Sequence, residues 1–393
     1  MNNTLEKVEE ILSELVAFKS FPGEPNKDLI LFIKNFLEEL NIDVILDTHS
    51  DGKRFNLFAT FGLEKDNGII LSGHTDVVPA SKNGWNKDPF ILQKCNGRFY
   101  GRGTVDMKGF IASTLAMAST FKEQEDKLVI PIHYAFTFDE EEGTIGASQM
   151  PDFLNRLGIK PKVAIIGEPT GMLPFNGHKG GLELVSEIRG SSGHASDPRN
   201  KVNAIYYASK LISYIENLSL KLSKNPIIGS PYNPPYSTLS VGRIDGGEAR
   251  NIIPNICNFD WEIRPVPNDN AFEILNIIRE YTEKVIVKEM KSIDPNSGIK
   301  FKEVAWCPSM ENYSNTYAEK LIKYLWINET PSVLSFGTDG GHYQSSGIET
   351  IVFGPGKMEQ MHQPNEYIEI EAIQESLNFL EKLLNFAKNP IDL

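Results

Sequence analysis

The chain has 393 residues, of which 40% are hydrophobic and 23% are charged, as is ordinary for a globular protein. A chain of this length favours two domains, because one hydrophobic core rarely serves more than about 250–300 residues. The formal net charge of −13 argues against nucleic acid or an anionic membrane surface as a partner, since both are bound through basic patches.

The cysteines and the N-terminal sequence indicate the compartment. Cys95, Cys257 and Cys307 are widely spaced, which predicts buried thiols in a reducing compartment rather than a disulfide framework. Residues 1–12 are polar and amphipathic and lack the basic and apolar regions of a signal peptide. No apolar stretch reaches the roughly 18 residues of a membrane-spanning helix. We therefore expect a cytoplasmic protein that does not cross a membrane.

The first part of the chain alternates between helical and strand patterns. Helical periodicity marks amphipathic helices, and short apolar runs bounded by turn residues mark buried strands. The predicted helices are 4–18, 27–40 and 109–123, and the predicted strands lie near 68–72, 128–138 and 162–166. The alternation continues to about residue 178 and is typical of an α/β domain.

The pattern changes near Gly180, where residues 181–189 alternate with the period of a half-exposed strand. Further strands are predicted at 237–244, 255–265 and 299–304, and helices at 201–218 and 269–289. This order, βαββαβ, is that of the ferredoxin-like unit. The helix–strand alternation resumes at about residue 309. We therefore expect one domain, 1–179 and 309–393, to be interrupted by another, 180–308.

Side chains that commonly bind metals follow apolar runs at five places. They are His74, Asp106, Glu141, Glu168 and His362. A residue just beyond a buried strand lies at the carboxyl end of the sheet, where open α/β sheets keep their sites. One catalytic zinc ion usually takes three protein ligands plus water. Two histidines and three carboxylates exceed that number, and they suit two metal ions that share a bridging carboxylate.

Each of these residues also has an ordinary structural interpretation. A strand-end histidine is more often a hydrogen-bonded structural residue, and an Asp in the Gly-rich turn 101–109 is typical of a turn or helix cap. Pro169 makes residues 167–170 a plausible turn, and His362 alone would be a loop histidine. Their recurrence in the same position, after apolar runs, favours the metal site.

The acidic run 139–142 directly follows the apolar strand 128–138. Four adjacent acids normally form a solvated turn, but here they cap a buried strand. Neighbouring carboxylates at a strand end point in opposite directions. One of them can bind a metal while another acts as a general base toward water.

Polar residues near these segments offer further contacts. Asp76 lies two positions after His74 and can accept the second ring proton of that histidine. His194 lies in a loop of the inserted domain and would ordinarily be an exposed histidine. Arg264 ends a strand and would ordinarily form a salt bridge, although a guanidinium there can also bind a substrate carboxylate through two hydrogen bonds.

In this order the segments resemble the M20 family of metallopeptidases and deacylases, and the resemblance covers nearly the whole chain. The matching segments are 73–76, 101–108, 139–141, 167–170, 192–196, 251–255 and the late His362. The resemblance implies a catalytic α/β domain with a mixed sheet flanked by helices and a dinuclear zinc site. It also implies that an α+β ferredoxin-like (βαββαβ) domain interrupts the catalytic domain and dimerises.

Carried over residue by residue, the resemblance makes Asp106 the bridging ligand. His74 and Glu168 would complete one metal site, and Glu141 and His362 would complete the other. The peptide bond after Asp106 is often cis in the family, so we expect a cis bond there.

The same resemblance gives roles to residues around the metals. Glu140 would be the general base, and Asp76 would orient His74. His194 would reach across the dimer interface and stabilise the oxyanion. The expected substrate contacts are Arg264, Asn251 and Asp339.

Together these expectations describe a metal-dependent hydrolase that cleaves the amide bond of a small N-acyl amino acid. Glu168 and the late segment 352–367 favour the deacylase branch, and Gly340-Gly341 in place of Gly-Arg after Asp339 argues against a substrate with a distal carboxylate. The expected cofactors are two divalent ions, zinc first, with cobalt or manganese as alternatives. A homodimer is expected through the inserted domain. A sibling deacylase, dipeptidase or carboxypeptidase is the alternative, and a non-catalytic binding protein is disfavoured because every ligand and base position is filled.

Overall fold

A computed structural model describes residues 2–81 and 83–393, without the side chain of Asn2. Met1, with which the predicted polar N-terminus begins, and Lys82 lie outside the described residues. The chain divides into two compact units. The first contains Met1–Gly177, Met310–Val333 and Thr338–Leu393, and the second contains His178–Ser309 and Leu334–Gly337.

Strands and helices alternate through most of the first unit and form a separate set in the second. In chain order, the strands are β1 (Val44–Thr48), β2 (Phe55–Phe61), β3 (Ile69–His74), β4 (Gln93–Cys95), β5 (Arg98–Tyr100), β6 (Ile132–Thr137), β7 (Val163–Ile166), β8 (Phe175–His178), β9 (Gly181–Arg189), β10 (Gly193–His194), β11 (Thr238–Gly246), β12 (Ile252–Ile253), β13 (Ile256–Arg264), β14 (Gly298–Cys307), β15 (Ser332–Leu334), β16 (Glu349–Val352) and β17 (Tyr367–Glu369). The α-helices are α1 (Asn2–Ala17), α2 (Lys27–Glu39), α3 (Gly109–Glu123), α4 (Ile145–Leu157), α5 (Ala204–Ser223), α6 (Ala271–Tyr281), α7 (Lys288–Ile293), α8 (Tyr317–Leu325), α9 (Gly340–Ser345) and α10 (Ile370–Lys388).

The main sheet of the described residues has eight strands in the order β1-β2-β6-β3-β7-β16-β8-β15. The central strands β6, β3, β7 and β16 run parallel, whereas β1 with β2 and β2 with β6 are antiparallel. The predicted mixed sheet is therefore confirmed. Because the parallel strands end at the same edge, the loops that follow β3, β6, β7 and β16 lie together there.

Helices cover both faces of this sheet, as strand β2 shows. Phe58 and Phe61 point to opposite faces because they are an odd number of positions apart. The Phe58 ring packs against Phe153 of α4, with ring centroids 6.2 Å apart, and the Phe61 ring packs against Phe121 of α3 at 5.5 Å. Residues from α1, α3, α8 and α10 join the same core as Phe61. The prediction of flanking helices is therefore confirmed.

One predicted strand is longer than the observed one. The run 128–138 forms β6 only from Ile132 onward. The amides of Val129 and Ile130 donate to the carbonyl oxygen of Ala387 at 2.9 and 3.0 Å, so this stretch is bound to the end of α10 instead of the sheet. Pro131, which has no amide proton, separates the two pairings.

The second unit contains a four-stranded antiparallel sheet in the order β11-β13-β9-β14. With helices α5 and α6 between its strands, the chain order is βαββαβ, and the first and third long strands are central as in the ferredoxin-like unit. Buried side chains of both helices pack on the sheet, among them Leu211 of α5 and Ile278 of α6. The predicted helix 269–289 has a wider turn at Thr282–Val287, where the Thr282 hydroxyl donates to the Ile278 carbonyl oxygen at 2.8 Å.

Among the described residues, no helix combines the length and the apolar character that a membrane span requires.

Candidate metal centre

The carboxyl ends of three parallel strands supply most of the predicted site. His74 is the last residue of β3, Glu168 follows β7, and Glu140 and Glu141 follow β6. His74 and Glu168 are buried, and Glu140 and Glu141 are half-buried. Asp139 has a left-handed backbone (φ 52°), and this turn leads the chain from β6 into the two glutamates.

Asp106 lies in an irregular turn, Thr104–Lys108, at the start of α3. Gly103 has a φ of 82°, and a Cβ there would lie 2.6 Å from the Val77 side chain, so only glycine fits. The Asp106–Met107 peptide bond is cis, as expected. Lys108 is fully buried, and its ammonium group donates to the carbonyl oxygens of Leu15 and Phe18, both at 2.8 Å.

The two oxygens of the Asp106 carboxylate face different histidines. The Nε2 atom of His74 lies 3.0 Å from Oδ1 of Asp106, and the Nε2 atom of His362 lies 3.2 Å from Oδ2. His74 Nε2 is also 3.7 Å from Oε1 of Glu168. His362 Nε2 is 3.0 Å from Oε2 of Glu141. The structure thus brings all five predicted ligands together, with Asp106 in the middle.

The donor set fits two divalent cations. His74, Asp106 and Glu168 form one group and Asp106, Glu141 and His362 another, and within each group the donor atoms lie within 4.8 Å of one another. Oε1 of Glu168 is buried without a hydrogen-bond partner among the described residues. A buried carboxylate oxygen without a donor is costly unless a cation compensates it.

The protonation of these residues also reflects concentrated negative charge. Burial raises the pKa of Glu168 well above its usual range, and the charge of Asp106 adds to that effect. Burial by itself lowers the pKa of His74, but the hydrogen bond and charge of Asp106 outweigh it and raise the pKa well above the usual value. Hydrogen bonds to Asp106 and Glu141 raise the pKa of His362 to about 10. Divalent cations neutralise such a cluster and release the histidine protons.

Glu140 lies among the same carboxylates without belonging to either donor group. Burial raises its pKa well above the usual range, and the charges of Glu168, Glu141 and Asp339 add to this shift, while His74 opposes it. A carboxyl group whose environment favours the protonated form is suited to accept a proton.

Asp76 has a different set of contacts from the expected one. The carboxylate accepts hydrogen bonds from the backbone amides of Glu140 and Glu141, both at 3.1 Å. The ring of His74 contacts the backbone carbonyl oxygen of Asp76, 3.0 Å from Nδ1, whereas the carboxylate oxygen is 3.7 Å away. The backbone of Asp76 therefore orients His74, because its carboxylate is engaged by the amides of the acidic loop. Burial is the main reason why the pKa of Asp76 is raised to about 7.

Asp339 is buried in the first unit, at the start of α9. One carboxylate oxygen accepts a hydrogen bond from the hydroxyl of Thr137, at the end of β6, at 2.6 Å. The other oxygen, Oδ1, has no hydrogen-bond partner among the described residues. Burial raises the pKa of Asp339 to about 6.

The remaining predicted residues belong to the second unit. His194 is exposed in the short strand β10, and its Nδ1 atom lies 2.6 Å from the hydroxyl of Ser196. Asn251 is exposed, and its carbonyl oxygen accepts the amide of Ala195 at 2.9 Å. The guanidinium of Arg264 is already paired, with an Nη2 atom 2.7 Å from Oε2 of Glu262.

Sequence reasoning assigned no role to Glu366, which is buried and contacts the turn of Asp106. Arg102 is also buried, with Nη1 2.6 Å from the Glu366 carboxylate. The available signal was the position of Glu366 at the end of the late segment that carries His362.

A mixed α/β sheet with these donors at its carboxyl edge defines a metal-dependent amidohydrolase. The chain matches the Peptidase family M20/M25/M40 over residues 70–385 and belongs to that family. It is 34% identical over 364 residues to the acetylornithine deacetylase of Buchnera aphidicola subsp. Acyrthosiphon pisum (strain 5A), covering 92% of this chain and 91% of that one. It is 31% identical to the acetylornithine deacetylase of Proteus mirabilis (strain HI4320), covering 98% and 97% of the two chains.

Solved structures of the same fold include peptidases. An M20 family metallo-carboxypeptidase from Sulfolobus solfataricus has a TM-score of 0.76 at 18% identity, over 97% of this chain and 99% of that one. Human carnosine dipeptidase 1 has a TM-score of 0.72 at 16% identity, over 98% of each chain. At these identities the likeness establishes the shared fold.

Proposed function

We propose that this chain hydrolyses the amide bond of an N-acyl amino acid, and that the substrate is N-acetyl-L-ornithine, which gives L-ornithine and acetate for arginine biosynthesis. The observation that carries the hydrolytic part is the Asp106 carboxylate, whose two oxygens face His74 and His362 at 3.0 and 3.2 Å. The choice of substrate is supported by the relatives named acetylornithine deacetylase, at 31–34% identity over more than nine-tenths of the chain.

The proposed ligands divide into two groups around Asp106. His74 and Glu168 would hold one ion with Asp106, and Glu141 and His362 would hold the other. Two divalent ions at such a site lower the pKa of a bound water toward about 7 and polarise the acyl carbonyl. Zinc is the expected metal, and cobalt and manganese accept the same nitrogen and oxygen donors.

Glu140 is the proposed general base. It accepts a proton from the attacking water while the water oxygen bonds to the acyl carbon. It then delivers that proton to the amide nitrogen as the carbon–nitrogen bond breaks, so that acetate and the free amine leave. The backbone amides of Glu140 and Glu141 both donate to the Asp76 carboxylate. These hydrogen bonds support the proposal because they hold the base, Glu140, in a fixed position next to the proposed ligand Glu141.

Residues of the second unit complete the proposal. In a homodimer formed through this unit, His194 of one subunit would donate to the oxyanion in the site of the other, a contribution of about 3–4 kcal/mol for a preorganised donor. Arg264 and Asn251 would bind the α-carboxylate, which for Arg264 means an exchange of its present partner Glu262. The unpartnered oxygen of Asp339 would accept the side-chain ammonium group of ornithine.

A substrate panel tests this function. The metal-free protein is loaded with zinc or cobalt and offered N-acetyl-L-ornithine, N-succinyl-diaminopimelate and a dipeptide at matched concentrations. We expect metal-dependent release of ornithine with the highest kcat/KM, and none from an Asp106→Asn variant. Faster cleavage of the succinylated substrate would instead indicate a desuccinylase, and faster cleavage of the dipeptide would indicate a dipeptidase. No cleavage of any amide with either metal would reject the hydrolase.

A further inference from the structure

Glu366 is a buried carboxylate, 1% exposed, on which donors of one turn converge. Its Oε1 atom accepts the backbone amides of Val105 and Asp106 at 3.0 and 3.3 Å. Its Oε2 atom accepts Nη1 of Arg102 at 2.6 Å. Its own carbonyl oxygen accepts the amide of Gly101 at 3.0 Å. One residue thus binds the segment 101–106, which leads into the turn of Asp106, at four points.

The bond to the Asp106 amide is important because the backbone leaves the helical conformation there. Asp106 has φ −125° and ψ 93°, far from the helical values of about −63° and −42°. A buried amide outside a helix needs another acceptor, and Glu366 provides it. Since the amide and the carboxylate of Asp106 branch from the same Cα atom, fixing one restricts the direction of the other.

Glu366 also belongs to the segment that carries His362. The backbone of His362 is left-handed (φ 60°), and its exposed ring reaches Oδ2 of Asp106 at 3.2 Å. Directly after Glu366, Tyr367 pairs with Tyr100 in an antiparallel ladder. Backbone pairing therefore connects the segment of His362 to the chain that leads into the turn of Asp106. The connection lies close in sequence to the two side chains that meet, those of His362 and Asp106.

We propose that Glu366 is a positioning residue for the metal centre, whose carboxylate fixes the turn of Asp106 against the segment of His362 so that both reach the same ion. This inference rests on the proposed ligand roles of those two residues. It assigns to Glu366 no contact with substrate or metal.

A purely structural role is the competing explanation, since Arg102 and Glu366 form a buried ion pair. The two explanations differ in which change affects the metal. If the ion pair alone matters, then Arg102→Met and Glu366→Leu should have the same effects. If the amide contacts matter, then only the change of Glu366 should weaken metal binding, because Arg102→Met leaves an acceptor for the amides of Val105 and Asp106.

The experiment compares the full chain with Glu366→Leu, which removes the acceptor of both amides, with Arg102→Met and with the control Glu369→Gln, three positions further along the same segment. Zinc affinity is measured by competition with a chelator, and the cobalt form by its visible absorption spectrum. We expect Glu366→Leu to weaken binding by about 10–100-fold and to change the cobalt spectrum, as loss of residues that orient ligands does. Arg102→Met should lower the melting temperature of the metal-free protein and keep the affinity, and Glu369→Gln should change neither.

Two results would overturn the proposal: wild-type affinity in Glu366→Leu, or an equal loss in Arg102→Met. A wild-type chain that binds no metal would instead reject the proposed function. Should Glu366→Leu fail to fold, hydrogen exchange of the wild-type chain decides. The amides of Val105 and Asp106 should be protected with and without metal, and exchange at the rate of an unprotected loop would contradict the contact.

Discussion

The Nε2 atom of His362 lies 3.2 Å from Oδ2 of Asp106, although Asp106 precedes the second unit in the chain and His362 follows it. His362 is exposed on a loop, and Asp106 is buried in a turn before α3. The second donor group exists only where these two segments meet. The second donor group therefore forms only in the folded unit. Changes that move the two segments apart should weaken binding of the ion proposed for Asp106, Glu141 and His362 more than binding of the other ion.

Replacing Glu140 by glutamine should abolish proton transfer and leave the metal ligands intact. The variant keeps the size of the side chain but cannot accept a proton from water. We expect kcat to fall by about 10²–10⁴-fold, the usual contribution of a general base. Metal content, measured by atomic absorption, should stay near that of the wild-type chain.

The matched control for this change is Glu142→Gln, which alters an exposed glutamate two positions further on. It should retain wild-type turnover. Loss of metal in the Glu140 variant would show that base and ligand had been assigned the wrong way round.

Replacing Asp76 by asparagine should displace the acidic loop. The carboxylate accepts two backbone amides, and an asparagine would turn an NH₂ group toward one of them. An unsatisfied buried amide costs about 1–3 kcal/mol. We expect lower stability and a loss of about 10–100-fold in metal affinity or kcat, because Asp76 holds both the base and a ligand in place.

Asp66→Asn is the control for that prediction, since Asp66 accepts a single backbone amide, from Lys160 at 2.9 Å, on an exposed surface. Its metal affinity should equal that of the wild-type chain. Equal behaviour of the two variants would mean that the amide contacts of Asp76 do not serve the metal centre.

Mixed subunits should reveal whether His194 acts across a dimer. Chains with His194→Ala and chains with Asp106→Asn would each be inactive alone, and co-expression should restore about a quarter of wild-type activity if half the dimers are mixed and each has one complete site. The readout is kcat per chain of the whole co-expressed mixture, in which two different tags report the ratio of the two chains.

The control partner for this mixture carries both changes, and it can supply neither His194 nor a metal site. Recovery with that partner would point to an effect unrelated to His194. If the mixture of His194→Ala and Asp106→Asn chains is shown by mass to be dimeric and recovers no activity, the proposed role of His194 across the interface is rejected.

The positions of three of the proposed ligands were predictable because each follows a pattern that is local in sequence. Apolar runs before His74, Glu141 and Glu168 define buried strands, and parallel strands end at one edge of the sheet. Most other helix and strand bounds are close to the predicted ones for the same reason, although β6 is shorter than predicted. Helix α3, for example, spans Gly109–Glu123 as its periodicity indicates.

The hydrogen-bond partners were not predictable, because they depend on segments that are distant in sequence. The sequence pairs Asp76 with the neighbouring His74, yet the amides that its carboxylate accepts belong to the loop after β6. Arg264 lies at a strand end suited to a substrate carboxylate, but Glu262, on the same strand, is its present partner. Glu366 looks like one more acid until the fold places three donors around it.

Protonation of His133 should make the unfolding of the first unit depend on pH. His133 lies in β6 with its ring stacked on Phe58, 5.2 Å between centroids, and burial lowers its pKa from 6.5 to about 4. The unfolded chain therefore binds this proton first as the pH falls. The contribution is fully present above about pH 6.5, declines between that pH and about 4, and amounts to about 3 kcal/mol in total.

The measurement is the free energy of unfolding in urea, with a chelator present so that metal binding adds no pH dependence of its own. His133→Gln, which cannot titrate, should lose about 3 kcal/mol less than the wild-type chain between neutral pH and pH of about 4. His178 also has a pKa lowered to about 4 by burial, but it is present in both proteins and cancels in the difference. Parallel pH curves for the two proteins would show that His133 is solvated enough to take up its proton in the folded state.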